Sequence, residues 1–166
     1  MALAFAALVL LLLPWASDPV AVPRYVIGVY GVAIGAADLC TAILLIRQYR
    51  YAAEQYLYEV PAGRLDPGEE PAACARRELR EETGCEAERV EHLITIYTTP
   101  GFTDERIHLF MAVGLTRGDV AREADEFIEV ETMPLSQALS LIERGVIQDA
   151  KTALAVLYAA GFRAGR

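Results

Sequence analysis

Apolar and polar residues are distributed along this chain in three regimes, and the change from one to the next marks its organisation. The first, MALAFAALVLLLLPWA, is apolar throughout, and RYVIGVYGVAIGAADLC adds a second apolar run broken only by glycines and Asp38. The second regime starts near residue 43. AILLIRQY and the alternating EQYLYEV read as strands, with Tyr51 to Glu54 as the turn between them. PAACARRELREET changes to a helical pattern, with Pro71 suited to the first turn, Glu69 and Glu70 at its positive end, and Gly84 as its stop. VEHLITIYTT and RIHLFMAVGL return to strand character across a PGFTDE turn, and EFIEVETM follows an acidic loop as another strand. The third regime is helical. One helix is expected from near Ser136 to Gly145, and another from Asp149, a good N-cap, to Gly161. Strands interrupted by helices, with a hairpin in the middle, predict a mixed α/β layered domain.

The opening region admits several readings. Its first run ends at Pro14, short for a bilayer span, and lacks the basic residues of a secretory leader. A buried strand and helix pair, a dimerisation arm, a membrane anchor and a poorly defined start region all fit. Residues 1–40 are therefore set apart from the unit formed by residues 41–166.

Charge then concentrates attention on one segment. GRLDPGEEPAACARRELREETGC, residues 63–85, holds six acidic side chains and four arginines. On a helix, Glu78, Glu81 and Glu82 project to one side within a turn, where like charges repel. Hard divalent cations relieve that repulsion, since magnesium prefers carboxylate oxygens and keeps water and phosphate as its other ligands. A solvated face with an ordinary Arg77–Glu81 pair also accounts for RRELREE, but gives no reason for Gly63 or for the loop PAGRLDPGE that leads into the helix.

The 166 residues carry a net charge of −8 and no basic tract, which argues against a nucleic-acid partner while allowing a small anionic ligand at a locally cationic or metal-bearing site. Cys40, Cys74 and Cys85 are odd in number and widely spaced, as expected of reduced, packed thiols in a cytoplasmic protein. His92 and His108 read as strand residues rather than ligands.

Residues 63–85 resemble the signature of the Nudix hydrolases at nine specified positions in one fixed frame: Gly63, Glu69, Arg77, Glu78, Leu79, Glu81, Glu82, Gly84 and Cys85. That resemblance implies an α/β/α sandwich with a mixed sheet, in which a loop, helix and loop bind divalent metal and position a nucleoside diphosphate linked to a further group. It implies Mg2+, with Mn2+ as a substitute, held by Glu78, Glu82 and Glu81 with the carbonyl of Ala62. Arg77 and Glu69 would orient the helix, with Gly63 and Gly84 at its two ends.

RQYRYAAEQYLYEVPAG, TPGFTDERIHLFMA and VIQDAKTALAVLY resemble the ADP-ribose pyrophosphatase branch, as does Pro100, fifteen residues beyond the signature. The branch implies cleavage of ADP-ribose to AMP and ribose 5-phosphate, Arg50 on the substrate, and the PGFTDE loop, with Pro100, Gly101 and Glu105, beside it. It also implies a general base or further metal ligand from the late acidic loop. Glu126 is preferred to Glu123 because it directly precedes the strand, and Glu82 acts with it in catalysis. A homodimer is the branch's habit, although residues 1–40 lack the polar alternation of its exchanged N-terminal strands. Two alternatives stay open: a hydrolase of another nucleotide sugar or nucleoside diphosphate derivative, and a Nudix domain that senses nucleotides without turnover.

Overall fold

The computed structural model describes residues 25–33, 41–118 and 128–163. In chain order these form β1 (Tyr25–Ala33), β2 (Thr41–Arg50), β3 (Gln55–Glu59), β4 (Ala62–Arg64), α1 (Pro71–Thr83), β5 (Cys85–Tyr97), β6 (Arg106–Arg117), β7 (Ile128–Pro134), α2 (Leu135–Glu143) and α3 (Ala150–Tyr158). One mixed sheet takes all seven strands, in the order β3-β2-β1-β6-β5, with β4 added to β1 and β7 to β2. β1 is parallel to β6 along Tyr25–Tyr30 and antiparallel to both β2 and β4. The β3–β4 run, interrupted only at Val60 and Pro61, changes partner from β2 to β1. The cleft described below is lined by residues on both sides of that change.

Alternation along the strands divides the core between two faces. Ile43 and Leu45 of β2 and Ile107 and Leu109 of β6 pack with Ala138, Leu141, Ala155 and Val156 of α2 and α3. Leu44, Phe110 and Ala112 face the other way, against Cys74, Ala75 and Leu79 of α1. The result is the expected α/β/α sandwich. Among the described residues no helix is long and apolar enough to cross a membrane.

Local chemistry sets most boundaries. Pro71 starts α1, and Gly84 ends it in the left-handed conformation (φ 69°) with its N–H on the Arg80 carbonyl. Asp149 caps α3, its carboxylate accepting from the Thr152 N–H. Three boundaries differ from the sequence reading. β5 begins at Cys85, five residues before the alternation shows, because β6 offers partners down to Arg117 and the register shifts by one residue between His92 and Ile94, which breaks the period. β4 is a strand where a loop was expected. The third helix does not stop at Gly161, which is not among the glycines of positive φ, and the chain continues in a wider π turn over Ala159–Arg163.

Candidate functional site

The acidic face of α1 is organised by a single guanidinium. Arg77 Nε and Nη2 donate to the two oxygens of Glu69, both at 3.0 Å. Its Nη1 donates to Glu78 Oε1 (2.6 Å) and Glu81 Oε2 (3.0 Å), and Nη2 also reaches the Arg64 carbonyl (2.9 Å). One cation thus offsets three carboxylates and fastens the loop before the helix to its middle turn. The hydrogen bond to Arg77 is the main reason the Glu69 carboxyl is pulled down to about 2, and the same bond raises the Arg77 guanidinium above its ordinary value. Beside them Cys74 is buried, and burial pushes its thiol up to about 12, so it is a packing residue rather than a nucleophile.

Glu82 turns the other way. It is buried, and its Oε2 accepts the Ala62 N–H at 2.9 Å, tying the last turn of α1 to β4. Glu78 lies flat on the same strand: a Cβ built on Gly63 would stand 1.8 Å from the Glu78 Cδ. Only a residue without a side chain admits that approach. Among the described residues no three acidic, histidine or cysteine side chains converge as a ready ligand group, because Glu78 and Glu81 are drawn onto Arg77. Donor chemistry is what fits a metal here: carboxylate oxygens on one helix beside the Ala62 peptide suit a hard divalent cation and no soft one.

A cleft of about 590 Å³ opens next to this helix, lined among others by Ala62, Gly63, Arg64, Arg50, Glu59 and Lys151. Glu59, at the end of β3, is 1 % exposed. Arg50 grips it side-on, with Nε to Oε1 at 2.6 Å and Nη2 to Oε2 at 2.8 Å. Lys151, in the first turn of α3, donates to Glu59 Oε2 and to Asp149 Oδ1. Burial works to raise the Glu59 carboxyl, but the hydrogen bonds and charges of Arg50 and Lys151 outweigh it and leave the group below its ordinary value. The bond to Glu59 likewise raises the Arg50 guanidinium.

The sequence-predicted residues distribute unevenly over this geometry. Ala62, Gly63, Glu69, Arg77, Glu78, Glu81 and Glu82 gather at the α1–β4 junction, Gly84 ends α1, and Arg50 faces the cleft. Glu105 also lines it, its Oε2 accepting from Thr98 Oγ1 at 2.6 Å. Pro100 and Gly101 sit on an exposed turn and do not line the cleft. Glu123 and Glu126 lie outside the described residues. Glu59, Lys151 and Asp149 were not singled out as cleft residues. The available signal was a charged residue inside an apolar strand, YEV, which has to find a counter-charge when buried.

A profile of the NUDIX domain matches residues 25–155. The chain belongs to the Nudix family. Among relatives of this Nudix chain, a methanol dehydrogenase activator of Bacillus methanolicus is 45 % identical over 118 residues, and an ADP-ribose pyrophosphatase of Bacillus subtilis is 44 % identical over 118 residues; each alignment covers 70 % of this chain and 64 % of the relative. A GDP-mannose pyrophosphatase of Cronobacter sakazakii is 42 % identical over 125 residues, covering 68 % of this chain and 63 % of the relative. The aligned part of the Nudix chain therefore spans just under two thirds of the length of these proteins. A solved structure described as an ADP compounds hydrolase shares the fold, with a TM-score of 0.71 at 23 % identity, over 85 % of this chain and 74 % of its own.

Proposed function

We propose that this Nudix protein is a magnesium-dependent pyrophosphohydrolase that cleaves ADP-ribose to AMP and ribose 5-phosphate. The observation that carries the proposal is the cleft at the α1–β4 junction, lined by an arginine and a lysine and by Ala62 and Gly63, against which the signature carboxylates Glu82 and Glu78 of α1 rest. Glu78, Glu81 and Glu82, with Ala62, would hold Mg2+, for which Mn2+ can substitute. Such a cation supplies charge neutralisation on the diphosphate and a water of lowered pKa. Arg50 presents its guanidinium to the diphosphate oxygens by charge-assisted hydrogen bonds. Arg77 and Glu69 hold α1 and its leading loop in register, so that the carboxylates stay beside Gly63. Glu105 lines the cleft from the loop before β6, and Glu126, in preference to Glu123, is assigned as the base.

The relatives that act on GDP-mannose favour a second reading, in which the nucleotide is guanosine and the sugar a hexose. Release of AMP from ADP-ribose and of GMP from GDP-mannose, measured side by side with magnesium and repeated on Glu82→Gln, separates the two. ADP-ribose is expected to turn over with at least a tenfold higher kcat/KM, and the variant to lose both activities. The reverse ranking would make the protein a GDP-mannose enzyme, and a folded protein that leaves both intact would be a nucleotide-binding domain without turnover.

A further inference from the structure

The Glu59 cluster has a feature that a plain structural salt bridge does not need. Arg50 meets Glu59 through its Nε and Nη2 edge, which leaves Nη1 with no hydrogen-bond partner among the described residues. Lys151 has three donors, of which Glu59 and Asp149 take two. Both cations line the cleft together with the carboxylate between them, which is itself almost wholly withdrawn from solvent. Two positive groups are thus fixed side by side by one buried anion, with donors left over. The anchoring is rigid on both sides. Glu59 ends β3, and Asp149, which caps α3, also binds Thr152, whose Oγ1 accepts the Val60 N–H at 2.8 Å.

We infer that Lys151 is a second substrate-binding cation which, with Arg50, forms a clamp for the diphosphate group, and that Glu59 is the positioning residue that sets the spacing of the clamp. This rests on the reading of the cleft as a nucleoside diphosphate site. Arg50 is the expected contact; Lys151 and Glu59 extend it to a paired recognition element built from two distant parts of the chain. The diphosphate would then be held between the remaining Arg50 and Lys151 donors on β2 and α3, whose charges Glu59 and Asp149 balance, and the carboxylates of α1 beyond Gly63.

Calorimetric binding of the α,β-methylene analogue of ADP-ribose, which keeps the diphosphate charges and resists hydrolysis, tests the clamp separately from turnover. Lys151→Met and Glu59→Gln should each weaken binding about tenfold, with kcat for ADP-ribose within about threefold of the parent and KM raised. Lys151→Arg should recover most of the loss. In a double-mutant cycle, Glu59→Gln should cost less once Arg50→Ala is present than it does in the parent, because part of its effect passes through Arg50 and only the part that passes through Lys151 remains. Parent-like binding by a folded Lys151→Met, or full additivity of Glu59→Gln and Arg50→Ala, would overturn the inference, as would failure of the parent to bind the analogue. If Glu59→Gln does not fold, Lys151→Met alone decides. Binding lost in the variants but no cleavage by the parent would refute the hydrolase reading and leave the clamp standing. Cleavage by the parent with a kcat/KM that Lys151→Met leaves unchanged would do the opposite.

Discussion

Replacing Gly63 by alanine separates stability from activity in a way the geometry sets quantitatively. An added Cβ would stand 1.8 Å from Glu78 Cδ and Oε1 and 2.3 Å from Oε2. Ordinary contact begins near 3.4 Å, so the carboxylate has to retreat by about 1.6 Å. Gly63 is not among the glycines of positive φ, and alanine strains no backbone there. The obstacle is the far end of a flexible side chain, which can give way. Glu78 loses its bond to Arg77 and shifts its rotamer, at a cost of about 1 kcal/mol, while Arg77 keeps Glu69 and Glu81. The melting temperature should fall by only about 2–4 °C. Activity has no such tolerance, since a displacement of about 1 Å in a reacting constellation costs roughly 100-fold, or about 2.7 kcal/mol of barrier. AMP release titrated with magnesium, beside a thermal unfolding curve, should show a kcat reduced about 100-fold and a raised magnesium requirement in a protein that is still folded. Turnover within threefold of the parent would mean that the position of Glu78 does not matter to catalysis. A loss of more than about 10 °C would mean that the strand, not the glutamate, takes the strain.

Other expectations concern the scaffold and the metal. Thr152→Val leaves the buried Val60 N–H without its acceptor and removes a donor from Asp149, so stability should drop by about 1–3 kcal/mol in a urea titration. Glu69 is held at about 2 in the folded protein against an ordinary 4.5. Its contribution to stability is therefore complete above pH 4.5 and lost as pH falls from there toward 2; urea midpoints across that window should fall in the parent and show a flatter acid limb in Glu69→Gln. Removal of divalent ions with a chelator should abolish AMP release, and Mg2+ should restore it without any change in the circular dichroism spectrum.

The parts of the site that were legible in the sequence are those whose chemistry is local. Helix α1 announces itself through Pro71 and Gly84, and its carboxylates fall on one face by period alone. Asp149 is a recognisable cap for the same reason. What stayed hidden depends on distant partners. Ala62–Arg64 has no alternation and becomes a strand only because β1 offers an edge at Tyr25–Ile27. The Glu59–Lys151 bond joins positions 92 apart, and nothing near either residue reveals the other. β7 runs through Pro134 straight into α2 at Leu135 with no side-chain cap to mark the passage, so the sequence marks the start only as near Ser136.

The double pairing of β1 bears on how the chain is made. Tyr25 belongs beside Arg64 on one edge and beside Ile107 on the other. During synthesis the β2–β3 hairpin can form soon after it emerges, but the far edge of β1 stays unpaired until β6 arrives, a wait of roughly 4–16 s at ordinary elongation rates. Such an edge is a template for any passing strand, so the nascent chain is most vulnerable to aggregation in that interval. Substitutions that slow the β5–β6 hairpin should lower the yield of folded protein well before they lower the stability of what has folded.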